Sequence, residues 1–360
     1  MKIFTIIGTR PQFIKAAPVS KAFKSIGIKE FVLHTGQHYD PLMSNIFFEE
    51  LKLEKPDLNL HINGGNHGQQ TGRMLECIEE ALIKEKPDRV LVYGDTNSTL
   101  AGALAATKLH IPLYHVEAGL RSFNKKMPEE VNRVLTDHLS TLLFTPTALA
   151  TQNLKKEGFS EENIKEVGDV MYDAILHFNT LADNRKDSIL GKLLLKEREY
   201  YLATIHRAEN TDSPQNLERI FEAFENLSEN TKIVLPVHPR IKEKINNIKF
   251  KRENIILTEP FGYLDMQVLT RYSSLVLTDS GGLQKEAYIL GVPCITLRDQ
   301  TEWMELVECG WNKLIPVNEN LSRELKEWVQ IMETRNLLEK KDFYGDGFAS
   351  KKIAHFLANS

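Results

Sequence analysis

Ionisable residues gather where apolar runs stop. "IPLYHV" leads into Glu117 and Arg121, and "MPEEVNR" follows with Glu129 behind a proline. "RVLVY" ends in Gly94, Asp95 and Thr96. Three carboxylates drawn together, Asp95, Glu117 and Glu129, would repel one another and their pKa values would separate. One could then act as a base while another stays a protonated acid. A solvated loop would put charge at one such point. It does not account for ionisable groups after at least six of them, in both halves of the chain.

The other points read as follows. "KIFTII" leads to "GTRPQFIK", with Arg10 in the turn and Lys15 in the following helix. "YYLATI" leads to His206 and Arg207, "KIVLPV" to His238, and "LVLT" to Asp279, Ser280, Gly281 and Gly282, with Glu286 a turn further on. Ser280, Gly281 and Gly282 open a helix whose unpaired N–H groups and positive dipole end suit a phosphate. Glu286 on the same helix could take the two hydroxyls of a ribose. A simple N-cap would look the same; a position after a buried strand, together with Glu286, favours the ligand. The glycine spacing fits neither a Walker loop nor a dinucleotide fingerprint. His206 and His238 read as diphosphate ligands and lack the spacing of a metal pair, so no metal is expected.

Placing these residues requires strands buried on both faces. The apolar runs have that composition, bounded by Gly, Pro and Thr, and each is followed by a helical pattern. "FVLHTG" precedes "PLMSNIFFEELKL", "NIILTEP" precedes "YLDMQVLTRY", and "PCITLRD" precedes "TEWMELVECG". Such alternation predicts an α/β fold with parallel, doubly wound sheets, whose ligands lie beyond the carboxyl ends of the strands. The pattern restarts near residue 170, so two Rossmann-like halves facing a cleft are expected. Their bounds are 1–168, with the carboxylates, and 169–345, with the nucleotide-binding groups. Residues 346–360 form a terminal helix that could pack on either half.

Bulk properties agree with this reading. The chain has 360 residues, 42% hydrophobic and 26% charged, with a net charge of −4. There is no basic footprint for nucleic acid or an anionic membrane surface. Cys77, Cys294 and Cys309 have neither disulfide nor metal spacing and are expected as free thiols. "MKIFTIIGTR" is too short an apolar run for a signal segment or a membrane span and reads as a first strand, so a cytoplasmic protein is expected.

The segments "GTRPQFIK", "TGQHYD", "GDTNSTLAGALAA", "HVEAGLR", "MPEEVNR", "HRAEN", "PVHPR" and "LTDSGGLQKEA" together resemble the non-hydrolysing UDP-N-acetylglucosamine 2-epimerases, in order and spacing, over essentially the whole chain. The resemblance implies a GT-B-type fold with the active site between the domains, a homodimer, a UDP-sugar substrate, and no cofactor. It implies that C2 of the sugar is inverted: UDP leaves C1 as the C2 proton is removed, and UDP adds back to the 2-acetamidoglucal with protonation on the other face. By the same resemblance Asp95, Glu117 and Glu129 are acid/base and sugar-face residues, and Lys15 supports them. His206 assists the departing diphosphate with Arg10 as its clamp, Arg207 and His238 bind it, Ser280, Gly281 and Gly282 hold the phosphates, and Glu286 holds the ribose.

The chain departs from the family pattern in places. Ala208 stands where a second arginine is common, Trp303 at a ligand-facing arginine position, and Phe261 where a glutamine can lie near the uracil. With "SFNKKMPEE" and "DQTEWMELVECGWN", these features resemble the branch acting on UDP-2,3-diacetamido-2,3-dideoxy-glucuronate, whose carboxylate Lys125 and Lys126 could reach. Alternatives of other classes are a GT-B glycosyltransferase, which would need an acceptor groove, a hydrolysing epimerase, and a non-catalytic sugar-nucleotide sensor.

Overall fold

The structure, a computed structural model, describes residues 1–37, 51, 53–248, 250, 253–334 and 339–359. The helix expected over "PLMSNIFFEELKL" and the end of "TGQHYD" lie outside the described residues, save Leu51 and Leu53. The chain divides into two compact units. One comprises Met1–His177 and Asp342–Ser360, the other Phe178–Lys341.

The first unit is built on β1 (Lys2–Ile7), β2 (Lys29–His34), β3 (Leu58–Asn59), β4 (Arg89–Tyr93), β5 (Leu113–Val116), β6 (Leu142–Thr145) and β7 (Ile164–Glu166). These strands lie side by side in the order β3-β2-β1-β4-β5-β6-β7, and every pairing is parallel. The second unit contains β8 (Tyr200–Thr204), β9 (Lys232–Pro236), β10 (Ile255–Thr258), β11 (Leu275–Thr278), β12 (Cys294–Thr296) and β13 (Asn312–Leu314). Their order is β10-β9-β8-β11-β12-β13, again parallel throughout. Both sheets are therefore doubly wound, as expected, and the strand order reverses beside β1 in one and beside β8 in the other. Such switch points open a crevice at the carboxyl ends of the strands.

Central strands are short and largely apolar because helices cover both of their faces. All four residues of β5 are buried, as are all four of β11. Two expected helices are shorter than their sequences suggest. "IKEKINNI" divides into a helical turn at Pro239–Lys242 and a 3₁₀ turn at Lys244–Asn247. "TEWMELVECG" is helical only over Met304–Glu308, since Thr301 and Trp303 are engaged in side-chain bonds before it and Gly310 follows.

The closing helix Ala349–Asn359 packs against the helix Arg10–Ser25 of the first unit. Its start is fixed by Asp173, whose carboxylate accepts from the backbone N–H of Ala349 (3.1 Å) and Ser350 (2.7 Å) and from the Ser350 hydroxyl (2.6 Å). Among the described residues no helix is long and apolar enough to cross a membrane.

Candidate active site

At the first unit's switch point two turns are stitched together by one buried amide. Gln12, in the first turn of the helix Arg10–Ser25, accepts from the N–H of Gly8 (2.8 Å) and Thr9 (3.1 Å). Its own amide donates to the Tyr93 carbonyl (2.7 Å) and Thr99 (2.9 Å), beyond β4. Arg10 is half-buried at the start of this helix, and one turn later Lys15 pairs with Glu117.

Glu117 directly follows β5 and is 8% exposed. Its backbone is left-handed, with φ 73°. In a side chain with a Cβ that conformation stores about 1–3 kcal/mol, which the surrounding contacts must hold in place. Gly94 is also left-handed, at φ 62°, and a Cβ there would lie 3.3 Å from the Glu117 carboxylate. Glycine thus lets the turn carrying Asp95 approach Glu117.

The Asp95 carboxylate pairs with Arg133, and its carbonyl accepts from the Asn132 side chain at 2.9 Å. Both partners come from the helix Pro128–Leu139, which proline opens at a position where no N–H is needed. Glu129 and Glu130 occupy its first turn, where the dipole favours negative charge. Glu129 is exposed and takes part in none of these bonds. Glu130 is 3% exposed, accepts from the N–H of Ser122 and Phe123 (2.9 Å each), and meets Arg133 at 3.3 Å. The family resemblance singles out Glu129 of this pair, and the burial and bonds of Glu130 were not legible in the sequence. Arg121, placed by sequence among the strand-end candidates, turns away to Asp137 and Glu157.

At the second unit's switch point Asp279 is the organising group. It is fully buried after β11 and accepts from the backbone N–H of His206 (3.1 Å) and Arg207 (3.0 Å) and from the Asn210 amide (3.1 Å). The His206 ring meets it through Nδ1 at 3.1 Å. Burial pushes the Asp279 carboxyl up, but the His206 bond and charge, with the Arg207 and Asn210 bonds, hold it below its ordinary value. The rings of His206 and His238 lie 5.9 Å apart, so the two predicted histidines do share a location.

The helix Gly281–Ile289 follows. Ser280 caps it, its hydroxyl accepting from the Leu283 N–H at 3.3 Å. Gly281 is half-buried and Gly282 exposed at the helix mouth, and Glu286 is half-buried one turn on. A Cβ on Gly281 would come within 2.5 Å of the Glu302 carboxylate and 3.8 Å of the Arg207 guanidinium. The same glycine's carbonyl accepts from the Trp303 indole at 3.1 Å, and the Lys285 ammonium lies 4.3 Å above that indole ring. Lys285 is 2% exposed, and no sequence rule singled it out. Gln284, also buried, accepts from Thr301 (2.7 Å) and Asn312 (2.8 Å) and ties the helix to the following strands.

Each switch point therefore carries its own chemistry. The first presents carboxylates held by cations; the second presents imidazole, guanidinium and a capped helix start. Comparison with known proteins decides what this pairing belongs to. The family model described as UDP-N-acetylglucosamine 2-epimerase matches residues 21–358. The chain belongs to the UDP-N-acetylglucosamine 2-epimerase family. A UDP-N-acetylglucosamine 2-epimerase homolog from Methanococcus maripaludis is 52% identical over 369 residues, covering 100% of both chains. The UDP-2,3-diacetamido-2,3-dideoxy-D-glucuronate 2-epimerase of Pseudomonas aeruginosa is 52% identical over 362 residues, covering 99% of both. The crystal structure of the UDP-GlcNAc 2-epimerase of Methanocaldococcus jannaschii, in complex with UDP-GlcNAc and UDP, superposes with a TM-score of 0.91 at 44% identity, covering 100% of each chain. Members of this epimerase family are isomerases acting on carbohydrates, and the chain shares their GT-B-like fold of two α/β units, each with a parallel sheet.

Proposed function

We propose that the protein is a non-hydrolysing 2-epimerase of a UDP-N-acetylhexosamine, interconverting UDP-GlcNAc and UDP-ManNAc for the synthesis of surface polysaccharide precursors in the cytoplasm. The observation that carries this reading is the pairing of Lys15 with Glu117 beside the Gly94–Asp95 turn, a buried carboxylate held next to the turn that carries a second one at the carboxyl ends of the strands. Asp95, Glu117 and Glu129 serve proton transfer at C2 and the sugar face. Arg10 and Lys15 set the charge around them. Arg207, His238 and the Ser280–Gly282 turn take the diphosphate, His206 assists its departure, and Glu286 takes the ribose.

The C2 hydrogen is not acidic in itself. Loss of UDP from C1 must therefore drive its removal, and donors to the developing diphosphate count as much as the base. The C2 proton passes to a carboxylate as the C1–O bond breaks, giving the 2-acetamidoglucal and UDP. Re-addition of UDP at C1 with protonation of the opposite face of C2 completes the inversion. A homodimer is expected from the family, and the exposed Val131 and Leu135 on the helix Pro128–Leu139 offer an apolar contact for it; light scattering tests this.

The deciding experiment is proton NMR with UDP-GlcNAc in deuterated water. The manno epimer carrying deuterium at C2, without lasting free UDP, is the expected result. Accumulating UDP indicates a hydrolysing enzyme, and dependence on an acceptor indicates a glycosyltransferase. A second reading has the same chemistry acting on UDP-2,3-diacetamido-2,3-dideoxy-glucuronate. It is favoured by the identity to the P. aeruginosa enzyme and by the exposed Lys125 and Lys126, which suit a uronate. Exchange on that sugar alone would select it, and inertness toward both sugars would overturn the epimerase reading.

A further inference from the structure

One buried ring in the first unit has a role in neither the acid/base set nor the nucleotide-binding set. His115 lies in the middle of β5, fully buried, with Val92 of β4 on one side and Leu143 of β6 on the other. Both of its nitrogens are engaged. Nε2 is 2.7 Å from the Gly94 carbonyl oxygen, and Nδ1 is 2.7 Å from Asp137 Oδ1.

A carbonyl only accepts, so Nε2 carries a proton. The other oxygen of Asp137 accepts from the Gly119 N–H (3.1 Å) and from Arg121 (2.7 Å), as an ionised carboxylate does. Nδ1 faces this carboxylate, whose other partners fix it and with it the plane of the ring. Arg121 makes a two-pronged pair with Glu157, both bonds 2.7 Å.

We propose that His115 is a positioning residue: its buried ring holds the Gly94 carbonyl and so fixes the turn that carries Asp95 beside Glu117. The inference rests on the proposed acid/base role of those carboxylates. Asp137 orients the ring, and the Arg121–Glu157 pair anchors Asp137. The helix Pro128–Leu139 thereby acts on the carboxylates twice, through Arg133 to the Asp95 side chain and through Asp137 and His115 to the backbone before it.

Two substitutions separate the arms of the ring. His115→Gln keeps a donor where Nε2 was, toward Gly94. His115→Asn keeps one where Nδ1 was, toward Asp137, and abandons Gly94. In the full chain, His115→Asn is expected to lower kcat about 100-fold, the effect of misplacing a reacting group by about 1 Å, with KM and UDP affinity unchanged. His115→Gln is expected to restore most of that loss. Equal kcat in both variants, whether high or low, overturns the proposal, since a filling role would not distinguish them.

Nitrogen NMR of the histidine-labelled wild type at pH 8, with the His115 signals assigned by their loss in His115→Gln, gives a second reading free of turnover. A proton on Nε2 is expected, and a ring protonated on Nδ1 alone overturns the proposal even where His115→Asn fails to fold. Failure of the wild type to epimerise either sugar would instead overturn the functional reading, leaving the NMR result to judge the ring.

Discussion

The two units share a strand order and a switch point but organise them in opposite ways. In the first unit the carboxylates follow the strands and cations hold them: Lys15 on Glu117 and Arg133 on Asp95. In the second a buried anion, Asp279, is the scaffold, and it holds donors: the His206 ring, the turn at Arg207 and the Asn210 amide. On the proposed function, one fold serves proton chemistry at one switch point and anion binding at the other.

The sharpest break of this contrast is Asp95→Asn. Turnover is expected to fall by roughly 100- to 10,000-fold, the range for losing a general acid or base, while calorimetric UDP affinity stays within about twofold. Loss of UDP binding as well would mean that the units do not divide the work in this way. The mirror change, Asp279→Asn, strips the His206–Arg207 turn of charged hydrogen bonds, each contributing about 1.5–3 kcal/mol. UDP affinity is expected to fall by about 10- to 100-fold, with C2 exchange at saturating substrate reduced far less.

A pH series sharpens the comparison. The folded carboxyl of Asp279 lies below its ordinary value, and so does that of Asp137. A group depressed in this way contributes stability above the unfolded carboxylate range, near pH 4, and that contribution disappears as pH falls through the folded value. Urea midpoints should therefore hold level down to about pH 5 and decline below it. The decline should be shallower in Asp279→Asn, which has no such carboxyl to protonate; an unchanged slope would sink the assignment. The smallest effect is expected from Trp303→Phe, which keeps a ring beneath Lys285 but removes the indole N–H from the Gly281 carbonyl. A loss near 1 kcal/mol is expected, read as about a fivefold weaker UDP affinity at unchanged kcat.

The sequence disclosed most of the frame because parallel strands buried on both faces must be apolar runs ending in turns. "RVLVY" and "YYLAT" are strands for that reason. The predicted residues Arg10, Asp95, His206 and Ser280 then stand at the two strand-order reversals, because those follow from topology alone. What sequence could not give is the direction of a side chain fixed by a distant partner. Arg121 meets Glu157, 36 residues away, and His115 reads as a polar interruption of a strand until Asp137, 22 residues on, is seen against it. Glu129 and Glu130 differ only in helix phase, set by the proline at the helix start.

The return of residues 342–360 to the first unit has a consequence for how the chain is made. The second unit is one uninterrupted stretch, 178–341, whereas the first awaits a segment synthesised after it. During translation the inserted unit can complete its sheet as soon as it emerges. Its host must wait with the buried Asp173 carboxylate uncapped and the Arg10–Ser25 helix uncovered until Ala349–Asn359 arrives. A released fragment ending near residue 345 should resist protease over 178–341 and be cut readily before it, so the unit that carries the carboxylates is the last to mature.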